Sequence, residues 1–230
     1  MLIRKAGFIA ALILLTLCTT STWAQNDLST TAITQPQSGC ALSATEQVTL
    51  RLFNFGNTLP AATSFNIAYT INAGAPVVEW LTLGSSLLSN SALSYTFTTR
   101  ANLSTPGVYF IDGIVALAGD INPNNDAFTQ YQVQNTAPSI GGSVTGPGIP
   151  TAAGVLSLNG YIGAVIEWQQ SIDGTRWRAL QNTSSAQPFA LLAEPTRFRA
   201  LVQNGSCAAV YSSTALVHPT DPIFSNGFES

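Results

Sequence analysis

The sequence predicts an all-β protein in which two tandem β-sandwiches follow a cleaved signal peptide. Short stretches alternate apolar and polar residues along the chain, and turn residues separate them about every 8–12 positions. No segment shows an apolar period of 3.6 residues together with helix caps. The length left after the leader suits two sandwiches of about 100 residues each, the size of immunoglobulin-like domains.

The first segment has the features of a secretory signal peptide, which we assign to residues 1–24. Arg4 and Lys5 form its basic start, and a run of twelve apolar residues follows from Ala6 to Leu17. Small residues up to Ala24 predict cleavage after that position. We therefore expect a protein that is secreted or held at the cell surface.

The predicted leader leaves one alternative open, and the later chain adds no membrane signal. Cys18 follows the apolar run and suggests a lipoprotein, but Leu17 is not the small residue that normally precedes a lipidated cysteine. No later apolar stretch reaches about 18 residues, so we expect no transmembrane segment in the mature chain.

The first predicted domain covers residues 28–136. Its expected strands are Val48–Leu52, Phe65–Ile71, Pro76–Leu83, Leu93–Phe97, Val108–Ala118 and Ala127–Gln134. The run Val108–Ala118 is long and apolar, as is typical of a central strand. Gly113 within it predicts a bulge or a close approach of two backbones. Ala137-Pro138 and Gly141-Gly142 then mark the joint between the domains.

The second predicted domain covers residues 138–217, and residues 218–230 form a C-terminal tail. Its expected strands are Val155–Leu158, Val165–Gln170, Arg176–Leu180, Arg197–Gln203 and Ala208–Val217. Asp173-Gly174 and Asn204-Gly205 predict hairpin turns, because glycine supplies the positive φ that these turns need. We expect Trp168 to be the buried core tryptophan of this sandwich.

Two groups of residues carry a family resemblance in the first domain. The opening stretch contains Ser38–Ser43, Glu46–Leu50 and Asn54-Phe55-Gly56, and the closing stretch contains Pro106–Tyr109 and Gly119–Asp126. In this order they resemble CARDB-like domains, which are bacterial immunoglobulin-like modules linked to cell adhesion. The resemblance covers roughly residues 30–135 and implies a sandwich fold and an adhesive role.

The second domain is similar to immunoglobulin-like modules of gliding-motility-associated and other secreted bacterial surface proteins. The matching stretches are Gly160–Gly163, Glu167–Ser171, Asp173-Gly174, Trp177, Phe198–Ala200 and Asn204–Cys207. That family usually has a second cysteine near its first strands, but residues 150–154 contain none. The stretch from Asp221 to Glu229, with its motif Phe224–Glu229, resembles a C-terminal motif of secreted gammaproteobacterial proteins to which no function is assigned.

Charged residues make up 8% of the chain, against about 25% in an average domain. This composition excludes coiled coils, and the ordinary apolar content excludes intrinsic disorder. A pI of about 4.9 excludes a basic nucleic-acid interface. Removal of the leader takes away Arg4 and Lys5 and leaves six arginines, no lysine and eleven acids.

The mature chain retains two cysteines, Cys40 and Cys207. We expect Cys40 at the start of the first strand, far from the second domain, and Cys207 at the near end of that domain. A ten-residue strand spans roughly 33 Å, which far exceeds the Cα separation of about 7 Å that a disulfide tolerates. The sequence therefore predicts no Cys40–Cys207 bond.

One loop is a weak candidate for a calcium site. Oxygen-bearing side chains stand at alternate positions, as in an EF-hand loop: Asp120, Asn122, Asn124 and Asp126. The twelfth position, which needs an acid, is Tyr131. The competing and favoured interpretation is a connecting loop in which Asn and Asp accept hydrogen bonds from backbone amides.

Trp80 and Trp177 are weak candidates for stacking on sugar rings, although coverage of a sheet face is the favoured interpretation. Catalytic motifs are absent from the sequence, and His218 is its only histidine. We expect Glu79, Asp112 and Glu167 to be outward-facing or hydrogen-bonded strand residues and not an acid–base pair.

The sequence thus predicts a secreted non-catalytic adhesion, spacer or binding protein with no cofactor. Its partner is an unidentified protein or polysaccharide and not a nucleic acid. A carbohydrate-binding module is the alternative, and a secreted hydrolase is a weaker third hypothesis.

Overall fold

The computed structural model describes residues 25–220, and every regular element in this range is a β-strand. The predicted signal peptide and the motif Phe224–Glu229 lie outside the described residues. No helix in this range is long and apolar enough to cross a membrane. The buried apolar residues form two separate cores, one from Leu28 to Val133 and the other from Val144 to Val217. The predicted all-β fold class is therefore confirmed.

The first sandwich contains eight strands in two sheets. The strands are β1 (Leu28–Gln35), β2 (Gly39–Cys40), β3 (Thr49–Asn54), β4 (Ser64–Ile71), β5 (Val77–Thr82), β6 (Ser91–Thr96), β7 (Gly107–Ala116) and β8 (Ala127–Thr136). One sheet has the order β1-β3-β6, and the other has the order β2-β8-β7-β4-β5. All pairs are antiparallel except β2 with β8, which is parallel.

The second sandwich also contains eight strands. They are β9 (Ser143–Thr145), β10 (Ala153–Asn159), β11 (Ala164–Ser171), β12 (Arg178–Leu180), β13 (Ala186–Ala190), β14 (Thr196–Gln203), β15 (Val210–Tyr211) and β16 (Ala215–Val217). One sheet has the order β13-β10-β9, and the other has the order β12-β11-β14-β15, with β16 also paired to β14. Trp168 on β11 is fully buried, as predicted, and its indole N–H donates to the carbonyl oxygen of Ser184 at 2.9 Å.

The predicted single strand Ala208–Val217 is divided into β15 and β16. Between them the hydroxyl of Ser212 accepts a hydrogen bond from the amide of Ala200 at 2.8 Å. A side chain thus replaces one step of the backbone ladder, and the strand breaks there. Next to it, the Ser213 hydroxyl accepts from the amide of Val144 at 3.1 Å and ties the break to β9.

Gly113 lies where the sequence predicts a bulge or a close approach, and the structure contains both. The pairing of β7 with β8 shifts register between Ile111 and Gly113. A Cβ atom on Gly113 would lie 2.6 Å from Cδ2 of Leu50, which is fully buried in the first core. Glycine therefore lets β7 approach β3 closely.

The structure corrects the prediction that Cys40 and Cys207 are not bonded: they form a disulfide with a Cα–Cα distance of 5.1 Å. The error lies in the placement of Cys40. The chain leaves the first sheet after β1, and β2 joins the other sheet beside the end of β8, where Cys40 pairs with Thr136. Cys40 therefore stands next to the residues that lead into the second sandwich.

The joint between the sandwiches has further contacts around this disulfide. Asn204, in the hairpin turn before Cys207, donates from its side chain to the carbonyl oxygen of Ala137 at 2.8 Å. Its backbone amide donates to the hydroxyl of Ser139 at 2.9 Å. Since Cys207 is only 2% exposed, the turn packs tightly against the linker.

Substitution of Gly141 tests the packing of this linker. A Cβ atom there would lie 2.1 Å from the carbonyl oxygen of Tyr211, and backbone atoms cannot move aside cheaply. We expect Gly141→Ala to lower the free energy of unfolding by about 1–3 kcal/mol in urea titrations. Gly84→Ala is the matched control, because nothing lies within 4 Å of a Cβ atom at that position. Equal stability of the two variants would contradict the close approach.

Candidate binding surface

An apolar surface covers the outer side of the five-stranded sheet in the first sandwich. It consists of Val78, Trp80, Val108, Phe110 and Ile114, which we call the apolar face. Each of these side chains is at least 40% exposed, and Trp80 is 70% exposed. Monomeric proteins rarely expose large contiguous apolar patches without a binding role.

Strand register brings these residues together. Val78 pairs with Ala68, and Ala68 pairs in turn with Ile114, so one apolar row crosses three strands. Because side chains alternate between the two sides of a strand, Trp80 lies on the same side as Val78, and Phe110 lies on the same side as Ile114. The surface is therefore continuous from β5 to β7.

The apolar face carries little charge. Asp112 is the acid on this side of β7, and its Oδ1 accepts a hydrogen bond from the amide of Gln130 at 2.7 Å. Gln132 and Gln134 on β8 pair with Phe110 and Val108 and form a polar border. Any partner of this surface would thus meet mainly apolar and uncharged polar groups.

Sequence reasoning identified Trp80 on this face but missed Phe110 and Ile114. The signal was present in the long run Val108–Ala118, which is apolar at both odd and even positions. The sequence predicts that run to be a central strand, and β7 is central in its sheet. In a two-layer sandwich each sheet has only one covered side, so a strand that is apolar on both sides must expose one of them.

Glu79 ties the free edge of this sheet to the opposite sheet. Its side chain points to the inner side of β5, and Oε2 accepts from the Tyr95 hydroxyl at 2.7 Å and from the Thr98 amide at 3.1 Å. Oε1 accepts from the Thr98 hydroxyl at 2.6 Å and from the Thr99 amide at 2.9 Å. We call this group the Glu79 clasp.

The clasp shifts the pKa values of Glu79 and Tyr95. Partial burial raises the pKa of Glu79, but the hydrogen bonds from Thr98, Tyr95 and the Thr99 amide outweigh it and lower the pKa to about 2. Burial and the hydrogen bond to Glu79 raise the pKa of Tyr95 to about 12. The carboxylate form of Glu79 is therefore strongly favoured in the folded protein.

Trp177 in the second sandwich has a different environment from Trp80. The Arg199 guanidinium lies over the Trp177 ring, with its Cζ 3.9 Å from the ring centroid, and 3.6 Å from the ring centroid of Tyr211. Its Nε donates to the Gln169 side chain at 2.8 Å. Arg199 thus covers one side of the Trp177 ring, and of the two predicted sugar-stacking residues Trp80 has the more accessible ring.

The predicted calcium-binding loop is held by its own hydrogen bonds. The two carboxylate oxygens of Asp120 accept from the amides of Leu28 at 2.8 Å and Asn122 at 2.9 Å. Burial raises the pKa of Asp126, and the charges of Asp120 and Asp27 raise it further. Among residues 25–220, no group of three or more His, Cys, Asp or Glu is arranged to hold a metal ion.

The titratable residues considered for catalysis lie apart. The Glu167 side chain accepts a hydrogen bond from Gln169 in the second sandwich, far along the chain from the Glu79 clasp. His218 lines an apolar groove together with residues of the loop between β13 and β14, and the lining residues within the described range include no acid. The structure therefore brings none of these residues together as a catalytic pair.

Protonation of Glu79 gives a pH-dependent test of the clasp. Its pKa is about 2 in the folded protein and about 4.5 when unperturbed, so its stabilisation is complete above about pH 4.5 and is lost as the pH falls toward 2. We expect Glu79→Gln to lower the free energy of unfolding by about 1–2 kcal/mol at pH 7. In urea titrations, the free energy of unfolding should fall less between pH 7 and pH 2 for this variant than for the wild type.

The exposed residue Glu194 provides the control, because its side chain accepts no hydrogen bond within the described residues. Glu194→Gln should follow the wild-type stability curve at each pH. The role of the clasp would be refuted if the free energy of unfolding fell equally between pH 4.5 and pH 2 in the wild type and in Glu79→Gln.

Comparisons with known proteins give one family match and several similar solved structures. A family described as a domain of unknown function (DUF8696) matches residues 148–220, and no curated protein matches the chain. Among solved structures, a CARDB domain from Pyrococcus furiosus is 20% identical and covers 48% of this chain and 95% of its own, with a TM-score of 0.33.

Two tandem-domain structures are also similar. Domains A168–A170 of titin are 11% identical and cover 84% of this chain and 67% of their own, with a TM-score of 0.41. Two fibronectin type III domains of chicken tenascin are 13% identical and cover 84% of this chain and 97% of their own, with a TM-score of 0.28. None of these likenesses transfers a ligand or an activity to this chain.

Proposed function

We propose that this protein is an exported, non-catalytic binding protein that acts in adhesion or as a spacer at the cell surface or in the extracellular space. The observation that carries the proposal is the apolar face of the first sandwich. It places large apolar side chains, including Trp80 and Phe110, on an open sheet surface. Such a surface favours contact with another macromolecule over contact with a small soluble molecule.

Two further observations support export and a mechanical role. Disulfides persist mainly in oxidising compartments outside the cytoplasm, and Cys40–Cys207 joins the two sandwiches at their linker. With the Asn204 contacts to Ala137 and Ser139, this bond restrains the linker and limits how far the two domains can move apart.

Substitutions on the apolar face test the proposed binding role. The exported protein is immobilised on beads, and attachment of cells of the source organism is counted. We expect Phe110→Ser combined with Ile114→Ser to reduce attachment at least tenfold, a loss of about 1.4 kcal/mol or more. Ile149→Ser combined with Ile172→Ser is the matched control, since both residues are highly exposed on the second sandwich.

Two outcomes count against the proposal. Attachment that is absent in the wild type, or equal in both double variants, would remove the binding role of the apolar face. Hydrolysis by the purified protein in a broad glycosidase and esterase screen, abolished by an Asp or Glu substitution, would replace the proposal with an enzyme.

A carbohydrate-binding module is the second candidate, and the 70% exposure of Trp80 favours it. An indole ring on an open, uncharged surface can stack on a sugar ring. The neighbouring Asn66 pairs with Trp80 across β4 and β5, but its Oδ1 is buried and has no hydrogen-bond partner within the described residues. In this function the ligand would lie along the sheet and not in a cleft.

Retention on insoluble polysaccharides distinguishes the two candidates. If the second candidate is correct, the wild type is retained and Trp80→Ala lowers the retained fraction severalfold, because the ring supplies the stacking surface. Trp177→Ala serves as the control, since Arg199 covers that ring. No retention of the wild type on any polysaccharide would eliminate the carbohydrate function.

A further inference from the structure

Strand β5 forms an open edge of the five-stranded sheet, because β4 is its only neighbour among the described residues 25–220. The amide of Leu83 donates to Thr63 at 2.9 Å, and the carbonyl oxygen of Leu83 accepts from Ala62 at 2.8 Å. Hydrogen-bonded residues alternate in an antiparallel ladder, so the even-numbered residues of β5 point their N–H and C=O groups away from β4. These residues are Val78, Trp80 and Thr82.

This edge lacks most of the features that protect free strands from pairing. Protective features include lysine, proline, a bulge or a very short strand. Residues 77–82 contain neither lysine nor proline, and the six residue pairs between β4 and β5 run without a register shift. Within residues 25–220, the outward backbone groups of Val78, Trp80 and Thr82 have no hydrogen-bond partner.

The one charge on β5 is already hydrogen-bonded before any strand is added. An inward-pointing charge normally protects an edge, because a new strand would bury it without partners. Glu79 already accepts four hydrogen bonds in its clasp. A strand added to β5 would therefore bury a carboxylate whose two oxygens already accept hydrogen bonds.

We propose that β5 pairs with β5 of a second copy of this chain in antiparallel orientation, about a two-fold axis at Trp80. The three free residues are symmetric about that position, so Trp80 faces Trp80 of the second copy and Val78 faces Thr82. Each of the three facing pairs exchanges two hydrogen bonds, about six in total. The inference goes beyond the proposed binding role, because the paired edge lies beside the apolar face and leaves that face exposed, and it rests on the exported, oxidised state assigned above.

The surroundings of the edge favour a second copy over an unrelated strand. Pairing joins the two apolar faces into one surface and brings the two Trp80 rings together, and such cross-strand aromatic pairs stabilise sheets. The nearest like charges are the two Glu79 carboxylates, whose Cα atoms would lie about 8 Å apart, and each carboxylate is held by the four hydrogen bonds of its own clasp. The two Asp112 side chains would stand at least five strand spacings apart, or more than about 24 Å, which is well beyond the Debye length of about 8 Å at physiological salt.

Cysteine cross-linking tests the register directly. In the proposed pair the two copies of residue 80 face each other at a Cα distance of about 5.5 Å, so Trp80→Cys should give a covalent dimer under mild oxidation. Thr82→Cys is the control, because the two copies of residue 82 lie about 13 Å apart, beyond the reach of a disulfide. Thr82→Cys combined with Val78→Cys should again cross-link.

Light scattering of the intact exported protein gives the second measurement. We expect the average mass to rise toward twice the monomer mass with concentration, and Val78→Pro to abolish the rise by removing an outward N–H while leaving the β4 ladder paired. Three results would overturn the inference. The wild type could stay monomeric up to about 1 mM, or the Trp80→Cys and Thr82→Cys variants could cross-link equally. The third is that β5 captures a foreign strand and does not pair with itself.

The two proposals fail separately. Phe110 and Ile114 lie on β7, two strands away from β5, so their substitution should abolish cell attachment without changing the mass. Loss of the dimer in Val78→Pro with attachment retained would leave the proposed function intact, while a persistent dimer without attachment would overturn the function alone.

Discussion

The disulfide between Cys40 and Cys207 is the constraint on which the arrangement of this protein depends. It requires the chain to cross from one sheet to the other between β1 and β2, because only that crossing brings Cys40 beside the end of β8. Asn135 fixes the crossing: its side chain accepts from the Leu42 amide at 2.9 Å and donates to the Leu103 carbonyl oxygen at 2.6 Å. A buried amide with both ends satisfied holds its surroundings firmly. The local strand switch in the first sandwich therefore determines how the second sandwich is attached.

The two-layer architecture accounts for the exposed apolar face. Each sheet buries one side against its partner sheet, and the other side meets solvent unless something else covers it. In the described structure nothing covers the outer side of the β2-β8-β7-β4-β5 sheet, yet β7 is apolar on both sides. From this strand, Ile111 and Val115 are buried in the core and Tyr109 packs against it, so burial in the core does not explain Phe110 and Ile114. The proposed binding role gives these two exposed side chains a function.

The sequence predicted the parts of the fold that have local causes. Alternation located most of the longer strands, and the turns at Asp173-Gly174 and Asn204-Gly205 were predicted correctly, with both glycines at positive φ. Strand β13 was missed because it contains Pro188, which is tolerated since β13 is the edge of its sheet. Strand β2 was missed because two residues cannot show a period, and the disulfide was mispredicted with it. The Glu79 clasp joins β5 to residues that follow β6, a contact that depends on tertiary structure and has no signal in the sequence.

The low charge of the chain and the Glu79 clasp have a common consequence. Free edge strands are often protected by charged side chains such as lysine, or by an inward-pointing charge that an added strand would bury. Here the acid on β5 points inward and is fully hydrogen-bonded, and no lysine occurs between residues 25 and 220 to replace it. The clasp stabilises the sandwich at its open side and at the same time leaves the outward edge neutral. The composition that first excluded coiled coils and nucleic-acid binding thus leaves this protein an edge with no outward charge to oppose an identical edge on a second copy.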